Sequence, residues 1–195
     1  VLSQPYESGL RAVRETQNVD DVEWAVTGIL GQAWPNNPNI VKEATTLATA
    51  TVNRLKSEGQ SDRASELEKA LIAALERDVI VRVSWTGTAD LDLVVEEPTG
   101  TVCSQVIPRT LSGGVMMKDS FPDPTAKDSK VYSEYYVCPK GIAGDYKAWI
   151  RVVKGQVAGG KVVVEIFRNF RSPLQTSQMK EIELGDRPVG VPLRR

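Results

Sequence analysis

Asp90 and Asp92 are the first side chains in this 195-residue sequence whose spacing suggests chemistry. Two residues apart, they share one face of an extended segment at the point where a polar loop enters a strand. With Glu96 further along, they offer the hard oxygen ligands that calcium takes, and the polar 118–130 loop could add Asp119, Asp123 or Asp128. The same pair also serves as an ordinary solvated strand entry, and no glycine-punctuated calcium loop accompanies it. The entry role is the reading adopted, and no cofactor is expected. A second group is Trp149, Arg151 and Phe167. If the strands around Tyr146–Val153 and Lys161–Phe170 form a hairpin across Lys154–Gly160, then Lys147, Trp149 and Arg151 lie opposite Val163, Glu165 and Phe167. That face mixes large aromatics with charge. It is either a platform for a sugar or peptide, or a surface covered by a second layer or by docked helices. Cys103 and Cys138 each end a predicted strand and are expected to form a disulfide, two buried thiols being the alternative.

Much other chemistry is excluded. The chain has no histidine, so Ser-His-Asp and Cys-His catalysis and histidine-ligated zinc cannot be assembled within it. Ser84, Ser104 and Ser133 sit in no nucleophile motif, and Gly113-Gly114 and Gly159-Gly160 read as turns, not as phosphate-cradling loops. A net charge of −1 gives no electrostatic footprint for nucleic acid. No apolar run approaches the roughly 20 residues of a membrane-spanning helix. The sequence opens on Val-Leu-Ser, with neither an initiator methionine nor a signal-like segment, and is expected to be a piece of a longer protein.

The elements that position these residues fall into two halves. Residues 1–77 carry helical periodicity. Tyr6, Leu10 and Val13 mark a first helix after Pro5. Val22, Val26, Ile29, Leu30 and Ala33 mark a second, predicted to start at Asp20 and stopped by Pro35-Asn36-Asn37-Pro38. Val41, Ala44, Ala48, Val52 and Leu55 mark a third, ended at Glu58-Gly59, and Ala64, Leu67, Leu71, Ala74 and Leu75 a fourth, capped by Ser61 or Asp62. The run GILGQAWPNNP, the long helix after it and EGQSDRASELEKALIAALERD resemble tetratricopeptide-type helical hairpins. That resemblance implies a terminal cap of a longer repeat array.

Residues 78–195 switch to period two. Val79, Val81, Val83 and Trp85 alternate with polar neighbours, and after Thr86-Gly87-Thr88 the pattern resumes at Leu91, Leu93 and Val95. Further strands are predicted over Thr101–Val106, Gly113–Lys118, Val131–Cys138, Tyr146–Val153, Lys161–Phe170 and Gln178–Leu184, with another at Val189–Leu193. Together these give an α+β chain: antiparallel, tetratricopeptide-like helical hairpins at 1–77, then an antiparallel β-sandwich of jelly-roll type at 78–195. The segments RVSWTGTADLDLVVEEPTGTVCS, SGGVMM and SEYYVCPKGIAGDYKAWIRVVKGQVAGGKVVVEIFRNF resemble a bacterial β-sandwich family of unknown function, found in large planctomycete proteins with tetratricopeptide repeats. They are more distantly similar to YfaP-like domains. The resemblance implies an envelope or periplasmic location and no established activity. The expected function is a non-catalytic structural or protein-interaction module of a larger envelope protein, its partner being protein. A glycan-binding β-sandwich is the alternative.

Overall fold

The computed structural model describes residues 3–117, 131–185 and 189–193, the last of these for the backbone alone. Asp119, Asp123 and Asp128 therefore lie outside the described residues. The chain divides into two compact units between Glu76 and Arg77.

The first unit is four helices: α1 (Gln4–Thr16), α2 (Val19–Leu30), α3 (Pro38–Ser57) and α4 (Ser61–Ala74). Pro5 sits in the first turn of α1, where its missing N–H costs nothing. α2 starts one residue earlier than Asp20, because Asn18 is the better cap. Its Oδ1 accepts the backbone N–H groups of Asp20 (2.9 Å) and Asp21 (3.1 Å). Asn37 caps α3 in the same way, through the Ile40 N–H. α4 begins at Ser61 with Gln60 in the capping position, and no side chain caps it. Leu10, Val26, Ile29, Ile40 and Ala44 share one core with Trp34, whose indole donates to the Ile29 carbonyl at 2.8 Å. Val52, Leu55, Ala64 and Leu67 form a second cluster between α3 and α4. Arg63 of α4 reaches Asp20 (2.5 Å) and Glu23 (2.8 Å), joining α4 to the start of α2.

The second unit is two antiparallel sheets. Its strands are β1 (Arg77–Trp85), β2 (Asp90–Glu96), β3 (Val102–Cys103), β4 (Val115–Met116), β5 (Tyr132–Cys138), β6 (Tyr146–Lys154), β7 (Lys161–Phe170), β8 (Thr176–Glu183) and β9 (Val189–Leu193). The five-stranded sheet runs β4-β5-β1-β7-β8 and the four-stranded sheet β3-β2-β6-β9. The period-two residues face one core: Val79, Val81 and Val83 with Val162, Val164 and Ile166 from one sheet, and Leu91, Leu93, Val95, Ala148 and Ile150 from the other.

The topology corrects one expectation. β6 and β7 do not form a hairpin; they belong to different sheets, and so do β1 and β2. Their connections are arches from sheet to sheet that lie side by side. Thr88 N–H donates to the Gln156 carbonyl and Ala158 N–H to the Thr86 carbonyl, both at 2.9 Å, while Gly87 bridges Val157. Each arch thus satisfies the other's backbone, so neither needs a hairpin ladder of its own. Gly155 has φ +74°, and a Cβ there would run into the Thr88 backbone.

Candidate functional site

The outward face of β2 and β6 carries the site. Asp92, Val94 and Glu96 alternate away from the core, and the register sets them opposite Arg151, Trp149 and Lys147. Arg151 forms an ion pair with Asp92, Lys147 donates to Glu96 at 2.8 Å, and Lys154 stands 3.7 Å from Asp90. Trp149 lies between two of these cross-strand pairs, 37% exposed, with Gly190 as its register partner on β9. After β3 the chain turns tightly: Ser104 N–H donates to the Ile107 carbonyl (3.0 Å) and Ile107 N–H to Ser104 Oγ (3.3 Å). The tip of that turn sets Gln105 and Val106 beside the sheet. The result is a groove of about 660 Å³, lined on the sheet side by Asp92, Val94, Trp149 and Arg151 and on the turn side by Ser104, Gln105 and Val106. Gln105 Nε2 is buried there and has no hydrogen-bond partner among the described residues. A donor so placed is costly unless something accepts from it.

The sequence-predicted residues are therefore regrouped. Trp149 and Arg151 stand together, but Phe167 does not join them. It lies on β7 in the other sheet, across from Ile80, with its ring edge-on to Phe170 at 5.5 Å. The local chemistry of Lys154–Gly160 suits a hairpin and an arch equally, and only contacts with the distant β1–β2 connection choose the arch. Asp90 and Asp92 are held apart in role. Asp90 is buried beside Lys154, and Asp92 faces the groove bound to Arg151. Each carboxylate already has a cation, and no group of three or more metal-ligating side chains occurs among the described residues. The disulfide expectation is also corrected: Cys103 and Cys138 are free, buried thiols.

Sequence reasoning missed a polar cluster around these thiols. Glu97 is 2% exposed, and its Oε1 accepts from Tyr136 Oη at 2.7 Å and Thr110 Oγ1 at 2.8 Å. Gly114 closes over it, since a Cβ there would collide with Glu97 and the Tyr136 ring. Burial above all, then the negative charge on Glu97, pushes the Cys103 thiol up to about 12. Burial likewise drives Cys138 up to about 11, with hydrogen bonds from Tyr136 and Tyr146 opposing. Burial, followed by the neighbouring Cys138 and Glu97, raises Tyr136 well above the usual phenol, so it remains a proton donor to the carboxylate. These thiols are not nucleophiles at neutral pH. Glu134 is fully buried too and accepts the Leu93 N–H at 2.6 Å, tying β5 of one sheet to β2 of the other. The one available signal was its period-two phase with Tyr132, Tyr136 and Cys138 on the inward side of β5.

The helical unit has a smaller groove of about 340 Å³ between α1 and α2, lined by Pro5, Tyr6, Gly9, Trp24, Ala25 and Gly28. Trp24 is 73% exposed at its wall. Its lining is apolar apart from the Tyr6 hydroxyl and the Trp24 indole N–H, so it offers less to orient a polar ligand than the β-sheet groove. No protein-family model, no curated protein and no solved structure matches this chain.

Proposed function

We propose that the chain is a non-catalytic binding module of a larger bacterial envelope protein, tetratricopeptide-like helical hairpins followed by a jelly-roll-type β-sandwich, and that the Trp149 groove is its ligand site. The observation that carries this reading is the half-open indole of Trp149 in a groove of small-molecule size that is also lined by Gln105, whose Nε2 is buried and unpartnered among the described residues, and by the salt-bridged Arg151. Supporting a non-catalytic role, the chain contains no histidine, and its buried thiols, tyrosine and Glu97 are not among the groove's lining residues. Protein and glycan are the two ligand classes that suit an aromatic flanked by paired charge.

The test is co-sedimentation of the purified chain with insoluble bacterial envelope material. The bound fraction should fall at least severalfold in Trp149→Ala and hold in Trp24→Ala, whose indole belongs to the helical groove. Equal binding by the wild-type and Trp149→Ala proteins would refute the assignment of the site.

A further inference from the structure

Resting on the Trp149 groove as the ligand site, we infer that its occupant is an uncharged glycan chain, bound by stacking on the indole and by hydrogen bonds from Gln105. The electrostatics of the face point to this ligand. Its charged side chains come as matched pairs, Arg151 with Asp92, Lys147 with Glu96 and Lys154 with Asp90. Among the described residues three cations therefore meet three carboxylates, and these pairs leave no net charge on the face.

An acidic or basic ligand meets each charge here already countered by a neighbour of opposite sign, so its net Coulomb attraction to the face is small. A sugar hydroxyl does not rely on that attraction. It donates to a carboxylate oxygen or accepts from a guanidinium N–H while the pair stays intact, because each ionised group has more hydrogen-bonding sites than one pair consumes. Gln105 lines the groove but its Nε2 is enclosed and without a partner among the described residues, so the side chain must turn toward the groove to give this donor a ring or hydroxyl oxygen as acceptor. The weakly polar C–H face of a pyranose covers the Trp149 ring in a contact that removes apolar surface from water without a charge. Val94 opposite Trp149 and Val106 at the turn tip, 90% exposed, extend that apolar strip.

Binding of this kind is insensitive to salt, unlike recognition of a charged ligand. It needs no calcium, since Asp92 is held by Arg151.

The experiment titrates the full chain by calorimetry and by tryptophan fluorescence. The neutral probes are oligosaccharides of β-1,4-glucose, β-1,3-glucose, β-1,4-mannose and β-1,4-xylose. The charged probes are oligogalacturonate and a heparin fragment, and an acidic and a basic peptide complete the panel. The expected result is saturable binding of at least one neutral oligosaccharide. It should change less than twofold between about 0.05 and about 0.5 M salt. It should weaken at least tenfold in Trp149→Ala, weaken in Gln105→Ala and persist in Trp24→Ala.

Trp149→Phe guards against a misfolded variant: it keeps a stacking ring and should retain part of the affinity. Binding of the charged probes alone, strong salt dependence, or no binding by any neutral sugar overturns the inference. If envelope co-sedimentation still depends on Trp149 while every sugar fails, the groove stands as the ligand site and its ligand is a protein. If co-sedimentation does not depend on Trp149, both readings fall together.

Discussion

Alkali should unfold this protein through its two thiols. Cys103 and Cys138 are fully buried in the core between the sheets, and burial raises both from the ordinary 9.0, to about 12 and about 11. For an acid with a raised folded pKa, the folded state holds the proton more tightly than the unfolded chain does. Stability is therefore intact below pH 9 and is lost as pH climbs from about 9 toward 11 and 12, because there the unfolded state binds fewer protons. At pH 10 each unfolded thiol gains about 1.4 kcal/mol from ionisation that the folded one cannot share, so the pair costs about 3 kcal/mol. That is a large part of the 5–15 kcal/mol roughly typical of a folded domain. Urea unfolding at pH 7 and pH 10, with reductant present, measures it. Lysines and surface tyrosines also titrate in this range, so the quantity compared is the pH 7-to-10 loss in the wild type minus that in Cys103→Ala/Cys138→Ala. The expected difference is about 3 kcal/mol. A difference below about 0.5 kcal/mol would show that the thiols ionise as freely in the fold as out of it, and the reasoning fails. Omitting the reductant adds a second reading, since a disulfide has no proton to lose and would erase the difference.

Other outcomes follow from the same structure. Tyr136→Phe should cost about 1.5–3 kcal/mol by urea unfolding, the range for a hydrogen bond to a charged group, because it strips a donor from buried Glu97. An effect near zero would mean that Glu97 finds another donor in the variant. Gly155→Ala should destabilise by about 1–3 kcal/mol, through positive φ and collision with the neighbouring arch, whereas Gly100→Ala, also at positive φ but facing open space, should cost less. Asp92→Asn should change stability by no more than about 1 kcal/mol, since its pair with Arg151 is partly exposed. Millimolar calcium should move the melting temperature no further than magnesium does, and a calcium-specific rise abolished by Asp92→Asn would reinstate the metal reading.

How much of this was legible differs from element to element. The inward residues of β1, β2, β6 and β7 could be read directly, because period two assigns a face whatever the neighbouring strand is. The four helices were equally plain, since Leu10 and Val13, Val26 and Ile29, Ala44 and Ala48, and Ala64 and Leu67 recur at helical spacing and all are buried. Partnership between strands was not legible. Val163, Glu165 and Phe167 were expected opposite Trp149, and Val94, Asp92 and Glu96 took that place instead. A loop's own residues do not say whether the chain returns to the same sheet or crosses to the other. Glu97 and Glu134 were missed for another reason: carboxylates are usually exposed, and only partners distant in sequence, Tyr136 for one and the Leu93 N–H for the other, make their burial tolerable.

The two arches have a consequence for where the chain can be cut or lengthened. Because the 86–88 and 156–158 segments bond to each other, a nick between Gln156 and Val157 would loosen both crossings between the sheets at once. An insertion in one arch would likewise displace the other, so their lengths are tied although some 70 residues separate them in sequence. The Pro98–Gly100 turn has lighter ties: Thr99 Oγ1 meets Ser112 Oγ at 2.9 Å, while an added Cβ on Gly100 meets nothing within 4 Å among the described residues. A tag, cleavage site or grafted loop belongs there, with the arch end of the molecule left as a single indivisible clasp.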